Sequence, residues 1–279
     1  MDIQLQVAIC FLISCGGVLS FIVLRLAYRK ARRNRLRSSA FPVQWKRILE
    51  SRVSLYRYLP NDLKAQLHGH INVFLDEKRF EGCGGIEITD EIRVTIAALA
   101  CMLLLNRKTL YYPRLQSILV YPHSYVGDDT SFIGGTHVHE SSFRSGESWA
   151  SGAVVIAWKD VKEEIGEYTT GRNVVLHEFA HQLDQENGSF ADGIPLLAQH
   201  KNYAGWARVM GDEFRRLKEK AVRNEEDVLD EYGAKNEAEF FAVATETFFE
   251  LPEDLKKEHP ALYDELKGCY MVDPAAWLG

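Results

Sequence analysis

The residue types best suited to chemistry lie between Asn173 and Asp184, a stretch that reads NVVLHEFAHQLD. It contains His177-Glu178-Phe179-Ala180-His181, an H-E-x-x-H pattern. Four residues make one helical turn plus ~40°, so His177 and His181 project from the same face and can bind one metal ion. Glu178, offset by ~100°, lies beside them. Two neutral imidazoles suit zinc, and an adjacent carboxylate is placed to take a proton from water at the metal. The competing reading is a pair of core histidines that fall four apart. Val174, Val175, Leu176, Phe179, Ala180 and Leu183 bury the helix on either reading, so its polar residues need partners.

A hydrolytic zinc site needs a third ligand. Metzincins continue with Gly three residues after the second histidine and His three further on; Asp184 and Asn187 stand there instead, which excludes that class. A glutamate from a second helix is the natural replacement. The best source is the run from Tyr232 to Glu246, YGAKNEAEFFAVATE. Asn236 can cap a helix whose Phe240, Val243, Ala244 and Thr247 pack inward, and Glu239 and Glu246, seven apart, share a face. Two acids on one apolar helix are costly unless paired or metal-bound. Asp184 either orients a metal histidine or caps a local bend. The pairs His68/His70 and His137/His139 have no acid at ligand spacing and read as surface histidines. The acids from Glu213 to Asp230, mixed with Arg and Lys, read as a solvated helical face.

These residues must be held by a small number of elements. Residues 38–60 read as a connecting stretch. Asn61 or Asp62 can cap a helix with Leu63, Leu67, Ile71, Phe74 and Leu75 on one face. Gly82, Gly84 and Gly85 mark a turn, and Thr89 with Asp90 and Glu91 starts a helix from Ile92 to Leu105 that is apolar on most sides. Ser117–Tyr121 and Ala153–Trp158 are β-branched and aromatic runs bounded by turn residues, hence strands, with a polar Gly/Ser/His loop at Gly127–Ser151 between them. The fold class is α+β, with a small sheet lying against the H-E-x-x-H helix and the Glu239 helix over residues 61–279.

Composition agrees with a globular body. The 279 residues are 46% hydrophobic and 26% charged, with 20 Gly and 8 Pro, which excludes fibrous and disordered classes. Residues 1–40 carry seven Lys/Arg and one acid, while the remainder carries 26 Lys/Arg against 38 Asp/Glu, a net of −12. An acidic body argues against nucleic acid as a partner. Five unpatterned cysteines support neither a disulfide framework nor a cysteine metal site. Val7–Leu24 is an 18-residue run without charge, which at ~1.5 Å per residue nearly spans a hydrocarbon core. It lacks the charged front and small-residue cleavage site of a signal peptide. A single-pass anchor within residues 1–37 follows, with the basic flank placing the carboxy-terminal side in the cytoplasm at the inner or plasma membrane.

HEFAHQLD taken with YGAKNEAEFFAVATETFF resembles the Mlc titration factor A family of zinc peptidases, itself similar to the catalytic domain of anthrax lethal factor. GIEITDEIRVTIAALACMLLL, LQSILVYP and SGAVVIAWKDV fit the same family, so the likeness covers most of residues 43–274. It implies a zincin-like fold and one zinc ion per chain held by His177, His181 and Glu239. Glu178 would be the general base and Tyr232 a donor to the oxyanion. Glu246 itself reads as a residue orienting a zinc histidine rather than as a ligand. The likeness further implies hydrolysis of peptide or protein substrates, with an aminopeptidase-like leaning. The rival implication of the family name is a regulatory binding protein that sequesters a cytoplasmic transcriptional repressor, with weak proteolysis. Soluble members lack an apolar anchor, so the likeness does not supply a location.

Overall fold

The computed structural model describes residues 3–123, 152–165, 171–187, 191–197 and 203–277. It divides into two compact units, Met1–Ala40 and Phe41–Gly279. The polar loop Gly127–Ser151, with His137 and His139, lies outside the described residues.

The first unit is one helix, α1 (Ile3–Arg37). Its large apolar side chains from Phe11 to Leu26 are exposed, and Phe11–Arg37 contains a window of mean hydropathy 1.9 with none of it buried within the chain. By length and composition this helix can cross a membrane.

The second unit is mostly helical around a small sheet. Its elements in order are α2 (Val43–Arg52), α3 (Ser54–Tyr58), α4 (Asn61–Glu77), β1 (Arg79–Gly82), α5 (Asp90–Met102), β2 (Ser117–Tyr121), β3 (Ala153–Ala157) and α6 (Trp158–Glu164). There follow α7 (Val174–Asp184), α8 (Tyr203–Arg223), α9 (Glu237–Glu250), α10 (Pro252–Glu258) and α11 (Pro260–Tyr270). Three-residue to four-residue helical turns stand at Gln185–Asn187, Glu231–Ala234 and Pro274–Trp277.

The three strands are parallel in the order β1-β2-β3, with Ile118 opposite Phe80 on one side and Val154 on the other. Parallel neighbours need a crossover, and α5 supplies it between β1 and β2. α5 is capped by Thr89, whose hydroxyl accepts from Ile92 N, and every residue from Val94 to Met102 is buried. It is the central helix that its apolar run predicts. Phe74 of α4, Tyr112 and Phe179 of α7 pack ring against ring, with centroids 4.9–6.2 Å apart. This aromatic junction seats α7 on the core, at edge-to-face spacings that favour such contacts.

Several expectations are corrected. Residues 43–58 are not a plain connection: they form α2 and α3, bury Leu49, Val53, Leu55 and Tyr56, and pack on α5. Pro42 and Pro60 punctuate these helices and Trp45 Nε1 donates to Asp90 Oδ2, so the segment is tied to the body by specific contacts. α4 has Pro60 at its N-cap, and neither Asn61 nor Asp62 caps it. His70 is not on the surface: it is 1% exposed and its Nδ1 lies 2.9 Å from Tyr111 Oη. His68 stacks on Phe41 and bonds Tyr56.

The acids from Glu213 to Asp230 are likewise only partly solvated. Asp227 and Glu213 flank the buried His259 ring at 2.8 and 2.7 Å, and Lys220 reaches Asp227 at 2.7 Å. Lys220 of α8 and His259, directly after α10, decide this, and neither is visible from local charge alternation.

Candidate metal centre

α7 begins where Asn173 turns its side chain back to accept from Leu176 N, a standard N-cap. The helix then carries His177 and His181 one turn apart on the side that faces α9. α9 is capped in the same way, Asn236 Oδ1 accepting from Glu239 N at 2.9 Å. That cap fixes the first turn of α9, and Glu239 with it, opposite the two histidines.

The three side chains converge. Glu239 Oε2 is 3.0 Å from His177 Nε2 and 3.4 Å from His181 Nε2, and the two Nε2 atoms are 3.2 Å apart. Each residue offers one ligand atom, all within 4.8 Å of one another. His181 and Glu239 are buried and His177 nearly so. Three ligand atoms brought this close, two imidazole nitrogens and one carboxylate oxygen, could hold one metal ion.

Charge in the centre follows from the same contacts. Burial opposes a charged His177, but its bonds to Glu239 and Glu246 outweigh that and push its pKa up to about 10. Burial lowers His181 to about 4. Burial would raise Glu239, yet the bonds from His177 and His181 hold its carboxyl well below the usual carboxylate range. Glu239 is therefore an anion, the form in which a carboxylate binds metal.

Glu246 lies two turns after Glu239 and touches the other nitrogen of His177, Oε1 to Nδ1 at 2.7 Å. Such a contact fixes ring orientation and tautomer. Its second oxygen accepts from Asn173 N at 2.6 Å. Asn173 Nδ2 in turn donates to Glu250 at 2.7 Å, and Val174 N donates to Glu164 of α6 at 2.6 Å. Burial, with the neighbouring carboxylates, pushes Glu164 and Glu250 each up to about 7. The start of α7 is thus locked by three acids from two other elements. Sequence reasoning missed Asn173, Glu164 and Glu250. The one signal was an Asn directly before the apolar run VVL, an N-cap position.

Glu178 is half-buried on α7, next to the histidines. Tyr232 sits on the turn Glu231–Ala234, its ring 6.0 Å from that of His177 and 44% exposed, so it stands beside the centre and partly in solvent. Burial, then Glu239 and Glu178, push its pKa up to about 12, which keeps it a protonated donor. Lys235 Nζ lies 5.4 Å above its ring.

Asp184 does not orient a histidine. It accepts from Gly193 N and Ile194 N at 2.7 and 2.9 Å, closing the bend after α7. Gly193 has φ 77°, and a Cβ there would come within 2.7 Å of Glu237 O, so the bend passes too close to the start of α9 for any larger residue.

Two histidines one turn apart on one helix, set against a buried glutamate on another, form a group that could hold a metal ion. The sequence agrees: the profile of the family described as glucose-regulated metallo-peptidase M90 matches residues 28–271. The chain belongs to that family. It is 37% identical over 260 residues to an uncharacterized protein of Synechocystis sp., covering 92% of this chain and 94% of that one. To Mlc titration factor A of Klebsiella pneumoniae it is 33% identical over 207 residues, 73% of this chain and 77% of that one. To Mlc titration factor A of Cronobacter sakazakii it is 30% identical over 237 residues, 84% and 87% of the two chains.

Proposed function

We propose that this chain is a membrane-anchored, zinc-dependent peptidase in which His177, His181 and Glu239 hold one zinc ion. The observation that carries the reading is the convergence of these three ligand atoms within 4.8 Å on two packed helices, with Glu246 on the far nitrogen of His177. Zinc bound there would supply the Lewis acidity that makes water nucleophilic near neutral pH and draws charge from the scissile carbonyl.

The remaining steps belong to the protein. Glu178 takes the proton of the attacking water and returns it to the leaving amine, a role that needs a carboxylate within hydrogen-bond reach. Tyr232 donates to the oxyanion from the open side, a contact typically worth ~3–4 kcal/mol in the transition state. Among the described residues β3 pairs on one side only, with β2, and it packs on α7. An extended substrate backbone can add to that edge. The zincin-like fold, the single-pass anchor in residues 1–37, the cytoplasmic body and the aminopeptidase leaning belong to the same reading.

The test uses metal-supplied full chain and Glu178→Gln, with zinc content and turnover of peptides bearing free or acetylated amino termini. Stoichiometric zinc in both and cleavage by the wild type alone is the expected result. Preference for free amino termini would mark an aminopeptidase. Equal cleavage by Glu178→Gln would remove the base assignment, and absence of zinc would remove the centre.

A second reading is favoured by the name of the relatives, Mlc titration factor A. In it the body captures a cytoplasmic transcriptional repressor and proteolysis is weak. Glu178→Gln would then leave capture intact while any cleavage disappears.

A further inference from the structure

Away from the metal centre, a cleft of about 210 Å³ lies between α2, α3 and α6. Arg52, Arg57 and Lys162 line it together with Glu91, Tyr58 and Trp158. Arg52 Nε is paired with Glu91 at 2.7 Å. Arg57 Nε donates to the Glu50 carbonyl at 3.1 Å, and neither Arg57 nor Lys162 has a carboxylate partner among the described residues. Three cations less one carboxylate leave the cleft at +2, in a body whose net charge is −12 (26 Lys/Arg less 38 Asp/Glu over residues 41–279). Repulsion between uncompensated cations drawn into one concavity favours an anion there.

The chemistry narrows the anion. Two guanidinium groups present forked donors matched to phosphate oxygens, and an ammonium adds a point charge. Tyr58 and the edge of Trp158 offer apolar wall beside them. The volume is below the ~300–1,000 Å³ usual for sites of drug-sized ligands, so the occupant is small. We infer that this cleft binds a phosphate monoester dianion, the phosphate held by Arg52, Arg57 and Lys162 and the organic group beside Tyr58 and Trp158. A soluble phosphate ester and a monoester lipid headgroup such as phosphatidic acid present the same chemistry. The proposal does not depend on the metal centre.

The test is calorimetric titration of glycerol 3-phosphate into zinc-supplied full chain reconstituted in phosphatidylcholine nanodiscs. The wild type should bind saturably. Arg57→Gln/Lys162→Gln should weaken binding at least ~10-fold, as expected for loss of two charge-assisted contacts. Arg47→Gln, exposed on α2 but outside the cleft, should bind as the wild type does. Thermal unfolding of each variant checks folding, and Lys162→Gln alone, expected to fall part of the way, stands in if the double variant unfolds. Nanodiscs that also contain phosphatidic acid separate the two sources: weakened binding of the soluble ester assigns the cleft to the lipid, unchanged binding to the soluble compound. No saturable binding, binding retained within twofold by a folded double variant, or an equal loss in Arg47→Gln would overturn the assignment.

Discussion

Glu246 and His177 stand 69 residues apart in the chain and 2.7 Å apart in space, carboxylate oxygen to ring Nδ1. That bond leaves the Nε2 of His177 turned towards Glu239 and His181. Glu246→Gln keeps the shape but gives up the charge that makes the imidazole a stronger ligand. Metal affinity should fall ~10–100-fold, the usual cost of losing an outer partner of a metal histidine. Competition with a chromophoric zinc chelator measures it, and an affinity unchanged from wild type would show that His177 is oriented by packing alone.

Tyr232 lies on a short turn with its body against the centre and nearly half its surface exposed. A hydroxyl that meets the substrate only as the oxyanion develops contributes to kcat and little to KM. Tyr232→Phe should therefore lower kcat by ~10²–10³ with zinc content and KM near wild type. Steady-state kinetics on one peptide decides the matter; a change confined to KM would make Tyr232 a substrate-binding residue.

The ion cluster at His259 sets a pH dependence of stability. Burial opposes charge on His259, but bonds to Asp227 and Glu213 hold its pKa up to about 9. Arg216 and Lys220 of α8 face the same carboxylates, and Glu258 is the neighbour on α10. A folded pKa above the ordinary value of ~6.5 gives stability that is complete below about 6.5. That contribution disappears as the pH rises through about 9. Asp227 is depressed, so its contribution is present above the ordinary Asp range and fails only on acidification. Urea unfolding from mildly acidic to alkaline pH should show wild-type stability declining at the alkaline end. His259→Gln should be destabilised by ~3 kcal/mol at low pH, as when a buried charge pair is broken. Its alkaline decline should be shallower; an identical slope in both proteins would remove His259 from the account.

The anchor has a direct check. Wild-type chain should remain with membranes through alkaline carbonate extraction. A chain lacking residues 1–40 should be soluble and should keep wild-type zinc content, since that segment and the body are separate compact units. A soluble wild-type chain would end the anchor reading.

How far the centre was legible depends on the range of the interactions. His177 and His181 share a face by helical period alone, and Asn236 announces the cap that Glu239 N uses. Glu239 and Glu246 share a face by spacing, but which one meets the metal histidines' Nε2 atoms and which the far nitrogen is settled by how α9 packs on α7. Glu250 and Glu164 gave no signal, because acids near helix ends are ordinary; the partner of Glu250, Asn173, is remote in sequence, and that of Glu164 is a backbone N–H, of Val174, which no residue type announces. The two strands were read from β-branched runs, while β1 at Arg79–Gly82, with a Phe flanked by charged residues, was not. Residues 38–60 were read as a connection because the two helices they contain are short, and α2 packs both on α5 and on α3, blurring any single period.

Glu239, Glu246 and Glu250 are spaced seven and four along α9, a helix buried at every position from Glu239 to Glu250. One rigid rod therefore carries a candidate ligand, the group that steers a histidine and the group that pins the cap of the opposing helix. A turn or slide of that rod displaces all three together, like cams on one shaft. The centre can be assembled or dismantled, but it has little means of adjusting one contact while keeping the others.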